Sequence, residues 1–327
     1  MAGGTVADRL LRPAIVVPAA LLGFGLAVAL AGAAAAPFSS VLRIATGVAG
    51  ILTFGLAALD LLEEPKLRPA LRSRVWQPLA AAAGIWAMAA LALSVALTAD
   101  SANVPLPDVS LPMWGEYLDS VSTGRLLVLE FGCATVCAVL AGLEHNFGRQ
   151  HSTLPLLALS VLGLAGLPLG GHLSQQSIGA MVILAHVLCA AIWCGLLGAM
   201  AVTLRRRGEW SRMLPRFSVA AFFSVWVLLA TGVLGALLQP TGRLRREGSN
   251  PAAILTALVE TGYGRILLAK TVLLALLIAA GWWSRRNWVP AARGHRLDAD
   301  VSLRRACGEI AVMAVVLGLA AALATTA

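Results

Sequence analysis

The chain has 327 residues, 59% of them hydrophobic and only 13% charged, with a mean hydropathy of +0.83. Soluble domains carry about 25% charged residues, and half that share cannot coat a water-facing surface of this size. The composition therefore argues against a soluble enzyme, a disordered chain or a disulfide-rich secreted module, and the excess of Ala, Leu, Val and Gly over aromatics favours helix packing in lipid over a β-barrel.

A span needs about 20 mostly apolar residues to cross the hydrocarbon. Nine stretches qualify: 14–36, 41–62, 76–98, 125–143, 154–171, 179–204, 216–238, 265–284 and 306–325. Backbone groups in lipid must be bonded within the segment, so each is expected to be a helix. Ala33–Ala36 resembles a cleavage site, but the apolar run before it is longer than a signal-peptide core, so a retained helix is expected. The expected fold is all-α, a polytopic membrane bundle of about nine helices. Residues 1–98 form a three-helix region, 99–124 an extracytoplasmic loop and 125–327 a six-helix region.

Charge sets the expected orientation. With the N-terminus inside, the inner segments hold eighteen Lys and Arg, the outer segments six, and Lys270 lies within a span. This bias predicts an N-inside, C-outside topology, and the net charge of +9 is read as facing anionic lipid rather than nucleic acid. The 99–124 loop is acidic, with Asp100, Asp108, Glu116 and Asp119 and no Lys or Arg. In the other long loop, 239–264, Asn250-Pro251 before an apolar run predicts a short helix lying on the membrane.

Ionisable groups inside a span are costly and mark candidate sites. His172 closes the fifth stretch on its outer side, and His186 lies roughly 10 Å down the sixth. Glu130 and Lys270 lie about 8 Å down the fourth and eighth. Four helices thus bring ionisable groups to one outer slab, where Glu130 and Lys270 are expected to form an ion pair. A short turn joins His172 to His186, so antiparallel neighbours would bring the imidazoles together, a set suited to copper, zinc or haem iron. At 100° per residue, Cys189, Trp193 and Met200 fall within about 60° of His186. His172, His186 and Cys189 are the expected metal ligands, with Trp193 and Met200 supporting or gating. The thiol and thioether favour Cu(I) over Cu(II).

Glu130, Cys133 and Cys137 share a helix face, which reads more simply as packing than as a second metal site. The five cysteines all lie in or beside apolar segments, so a disulfide framework is not expected. His145, His151 and His295 fall in inner loops and are expected to be solvated, and Glu309 is expected beside an Arg. No nucleotide-binding loop, HExxH or Ser/His/Asp arrangement appears, so a non-enzymatic protein is expected.

Pro168-Leu-Gly-Gly-His172 and His186-Val-Leu-Cys-Ala-Ala-Ile-Trp193-Cys-Gly195 resemble the copper resistance protein D (CopD) family. Arg216-Phe-Ser218, Thr231-Gly232, Tyr263-Gly-Arg265-Ile-Leu-Leu-Ala-Lys270 and Asn287 continue the pattern in order, over about 155–325. Gly195-Leu196 stands where the family pattern has two glycines. The leading three helices resemble the extension of actinobacterial members, here without a CtaG-like oxidase-assembly domain. The resemblance implies a multi-pass protein of the bacterial inner membrane that moves copper inward or delivers it to cuproenzymes, contributing to copper homeostasis and resistance. It implies His172 and His186 as motif histidines, Trp193 as motif tryptophan, and Arg265 with Lys270 as a further signature. The expected partners are copper ions, membrane lipid, and a copper chaperone or oxidase-assembly protein outside the membrane. The alternatives are a haem-binding membrane redox protein and a non-transporting copper-delivery or assembly factor for an enzyme such as cytochrome oxidase.

Overall fold

A computed structural model describes residues 16–31, 38–148, 151–170, 178–238, 260 and 262–326. No strand forms among these residues, and nine long helices occupy the nine predicted stretches. They are α1 (Val16–Ala31), α2 (Phe38–Ala58, continued by a 3-10 turn Leu59–Leu62) and α3 (Arg68–Ala102). A short α4 (Leu111–Ser120) is followed by α5 (Ser122–Phe147) and α6 (Leu154–Leu169). Then come α7 (Gly179–Thr203), α8 (Arg207–Leu238), α9 (Gly262–Arg293) and α10 (Ala299–Thr326). Among the described residues six helices are long and apolar enough to cross a bilayer, and Pro18–Leu30 and Leu154–Leu169 are shorter apolar helices. The chain is an all-α polytopic membrane bundle.

Local chemistry sets the helix ends. Proline stands in the first turn of α3, α4 and α6, where its missing N–H leaves no intrahelical bond unmade. Asn103 (φ 54°) and Gly148 (φ 63°) end α3 and α5 in the left-handed region. The helix α4 corrects the expectation of a loop over 99–124. Ser110 caps it by accepting from the Met113 amide at 3.4 Å. Trp114 Nε1 donates to Ser94 Oγ on α3 at 3.0 Å, and a Cβ at Gly124 would collide with the Tyr117 carbonyl. This tertiary seat lets a Pro-rich segment hold a helix. The four carboxylates expected to face water there are all exposed. The predicted surface helix after Asn250 lies outside the described residues.

The chain divides into two compact units, one of residues 45–205 and 212–236, the other of 1–44, 206–211 and 237–327. In the second unit α1 packs along α10, and α9 packs on both. A Cβ at Gly23 would overlap the Val315 carbonyl, and one at Gly318 the Ala20 carbonyl, so this contact is backbone on backbone. Ala27, Ile266 and Leu319 form a buried cluster beside it. At the charge-rich end Trp210 and Trp288 stack 6.0 Å apart, and Arg286 and Arg305 lie over Trp282 and Trp283. Glu309, expected beside an Arg, accepts a hydrogen bond from Ser284 at 2.5 Å.

In the first unit α3 packs along α5, α5 on α6, and α6 on α7. Its charge-rich end is tied by ion pairs. Arg72 binds Asp60 at 2.5 Å and Arg212 binds Glu63 at 3.2 Å, both carboxylates being buried. Arg216 pairs with Glu64 at 3.6 Å and donates to the Leu62 carbonyl at 2.7 Å, a carbonyl left open by the 3-10 end of α2. That contact gives the Arg216-Phe-Ser218 motif its structural reason. His145, His151 and His295 are exposed as expected, though His145 lies in the last turn of α5 rather than in a loop, and His151 is bonded to Glu144 at 2.6 Å.

Candidate functional site

His186 lies in the first, α-helical part of α7 and is half-buried. Its Nδ1 stands 2.9 Å from Thr231 Oγ1 on α8. Thr231 Oγ1 donates in turn to the Val227 carbonyl one turn back, at 2.6 Å. Gly232 follows, and a Cβ there would stand 3.9 Å from His186 Cε1. Cys189, one turn further along α7, lies beside the buried Ser224 of α8. Ser224 and Thr231 are seven residues apart, two turns of one helix face, so the antiparallel α8 presents a hydroxyl to each of the two candidate ligands. Neither hydroxyl was singled out as a site residue. The Thr231-Gly232 pair appeared only as a motif, because nothing in spacing alone joins residue 231 to residue 186.

Past Ala190 the helix widens into a π turn, Ala191–Gly195. Such a turn holds one residue more than an α turn, so everything beyond it is rotated back by about 100° relative to a continuous helix. This corrects the expected stripe. Cys189 precedes the π turn and keeps its place near His186, whereas Met200 is swung away and is fully buried in the core of the unit. Trp193 lies within the π turn and is buried. Gly195 ends it, and there α7 crosses α2: Cβ atoms at Gly55 and Gly195 would run into backbone carbonyls of the facing helix. One glycine at this point, followed by Leu196, is enough for the close approach.

Glu130 is buried on α5 and accepts a hydrogen bond from Trp86 Nε1 of α3 at 2.7 Å. The Trp86 ring lies in a slot between Gly50 and Gly163, with Cys133 beside Gly163. Cys137 donates weakly to the Leu156 carbonyl at 3.6 Å. Cys133 and Cys137 are both buried. Lys270, the expected partner of Glu130, is half-buried on α9 of the other unit, and Arg265 is exposed there. His172 lies outside the described residues. Among the described residues no three His, Cys, Asp or Glu converge as a metal-binding group.

The comparisons with known proteins divide the chain near this site. Residues 34–181 match the family model described as copper resistance protein D-like, N-terminal domain. Residues 211–323 match copper resistance protein D. The likeness noted over 155–325 therefore belongs to two successive models, and it reaches back over α2 to α5. His172 falls in the first match, Thr231 in the second, and His186 on the segment that joins them. The chain is also 25% identical over 252 residues to the inner membrane protein YebZ of Escherichia coli (strain K12), covering 74% of this chain and 81% of that protein. No solved structure matches. With both models matched in order along a bundle of membrane helices, the chain belongs to the copper resistance protein D family.

Proposed function

We propose that this protein binds copper at the outer part of α7 and carries it across the bacterial inner membrane, contributing to copper homeostasis and resistance. The observation that carries the reading is the pair His186 and Cys189 on one side of α7, the imidazole bonded to the Thr231 hydroxyl of α8. An imidazole within a membrane helix is costly unless it serves a site, and nitrogen beside sulfur suits Cu(I). His172, which precedes α7 in the sequence, is the third ligand of the proposal. Trp193 and the Gly55–Gly195 crossing close the path below, and the exposed carboxylates of 99–124 with Met113 collect the cation above. The family likeness supports copper as the ion, and the printed name of the Escherichia coli relative supports the inner membrane.

The test is metal analysis of detergent-purified protein, followed by copper flux in proteoliposomes. Bound copper that is lost in His186→Ala and in His172→Ala, with flux in the wild type, is the expected result. Copper retained undiminished in both variants overturns the site. Bound copper without flux replaces transport by delivery to a cuproenzyme, and a Soret band in the purified protein replaces copper by haem.

A further inference from the structure

The hydroxyl of Thr231 has one proton and two acceptor lone pairs. It stands 2.6 Å from the Val227 carbonyl oxygen, a separation that two oxygens hold only with a proton between them. Its proton is therefore committed to that carbonyl. The same oxygen stands 2.9 Å from His186 Nδ1, and only a lone pair remains to meet it. Two lone pairs at that distance repel, so Nδ1 carries a proton and donates. In a neutral imidazole the lone pair then belongs to Nε2.

We infer that Thr231 is a positioning residue: by accepting from Nδ1 it holds His186 in the tautomer whose Nε2 takes copper. Gly232 completes the arrangement. A Cβ at Gly232 would stand 3.9 Å from Cε1, the ring carbon between the two nitrogens, so the backbone of α8 lies close along that edge of the imidazole. Metal-bound histidines commonly donate their second ring N–H to an oxygen that fixes ring and tautomer, and here that oxygen comes from a threonine pinned by its own helix. The inference rests on the reading of His186 as a copper ligand, and its test separates the two.

The full chain, labelled with nitrogen-15 at histidine and purified without metal, gives the ring-nitrogen shifts of His186 by NMR, with His186→Gln identifying its signals. Cu(I) affinity is measured by competition with a chromophoric chelator. The wild type is expected to show Nδ1–H. Thr231→Val, equal in shape but without the oxygen, is expected to populate Nε2–H and to weaken Cu(I) binding by about 10- to 100-fold. Thr231→Ser is expected to restore both. A Thr231→Val protein with the wild-type tautomer and affinity overturns the role of Thr231 while His186→Ala still loses copper. Loss in Thr231→Ser equal to that in Thr231→Val overturns it too, since the hydroxyl would then not be what matters. Unchanged copper affinity in His186→Ala removes the copper site itself, and this inference with it.

Discussion

In the unit of residues 1–44, 206–211 and 237–327, α1 and α10 meet backbone to backbone at Gly23 and Gly318, next to an apolar cluster of Ala27, Ile266 and Leu319. In the unit of residues 45–205 and 212–236, α2 and α7 meet in the same way at Gly55 and Gly195. There the crossing coincides with a π turn, and α7 on one side of it carries a histidine and a cysteine faced by hydroxyls. Small residues give helices in lipid the close contact that a hydrophobic driving force cannot supply. They explain assembly in both units. They do not explain why one unit also spends helix regularity and buried polar groups, and it is there that copper chemistry is proposed.

The largest expected effect comes from breaking the crossings. Gly55→Val forces a side chain into the Gly195 carbonyl and is expected to abolish accumulation of folded protein, read as yield and monodispersity in detergent. Gly23→Val damages the other unit by the same means. Copper retained by whatever folded Gly23→Val protein can be recovered would sharpen the division, and copper lost from it would break the division. Gly84→Ala, where nothing lies within 4 Å of the added carbon, is the control expected to change nothing.

Next in size is the charge-rich end of the first unit. Arg72→Met leaves the buried Asp60 without its 2.5 Å partner and is expected to destabilise by about 3 kcal/mol, read as a lower thermal midpoint. A midpoint equal to wild type would show that the ion pair does not tie α3 to the end of α2. Trp86→Phe removes the donor to Glu130, with an expected cost of about 1–3 kcal/mol, and adds a cavity cost because the outer indole ring between Gly50 and Gly163 is lost as well. Trp86→Phe combined with Glu130→Gln should recover part of that loss, because a neutral amide is less costly to bury than a carboxylate. If the double variant is worse than Trp86→Phe alone, Glu130 has a second use as an anion. Smallest is His151→Ala, which removes an exposed contact to Glu144 and is expected to change stability by no more than about 0.5 kcal/mol.

Much of this was legible from residues alone. Among the described residues each of the nine apolar stretches holds a long helix, because a chain in lipid has no other way to satisfy its backbone, and a 20-residue run of Leu, Ala and Val states that demand locally. The exposed histidines at 145, 151 and 295 follow from the same local logic. The helix within 99–124 is not legible locally because Pro and Asp weaken a helix by propensity, whereas Ser94 of α3 and the close approach of Gly124 on α5 supply contacts that propensity does not count. His186 and Cys189 stood out as polar groups in an apolar run, but the angle to Met200 assumed 3.6 residues in every turn.

What the residues determined by themselves was the class of solvent, the number of helices and the identity of the polar groups within them, since each depends on hydropathy over one continuous segment. What only the tertiary structure decided was which face those groups share and who holds them. The π turn arises where α7 must pass α2 at Gly55, and Thr231 reaches His186 across 45 positions of chain. Both depend on how two helices approach one another, a relation that no single stretch of sequence contains.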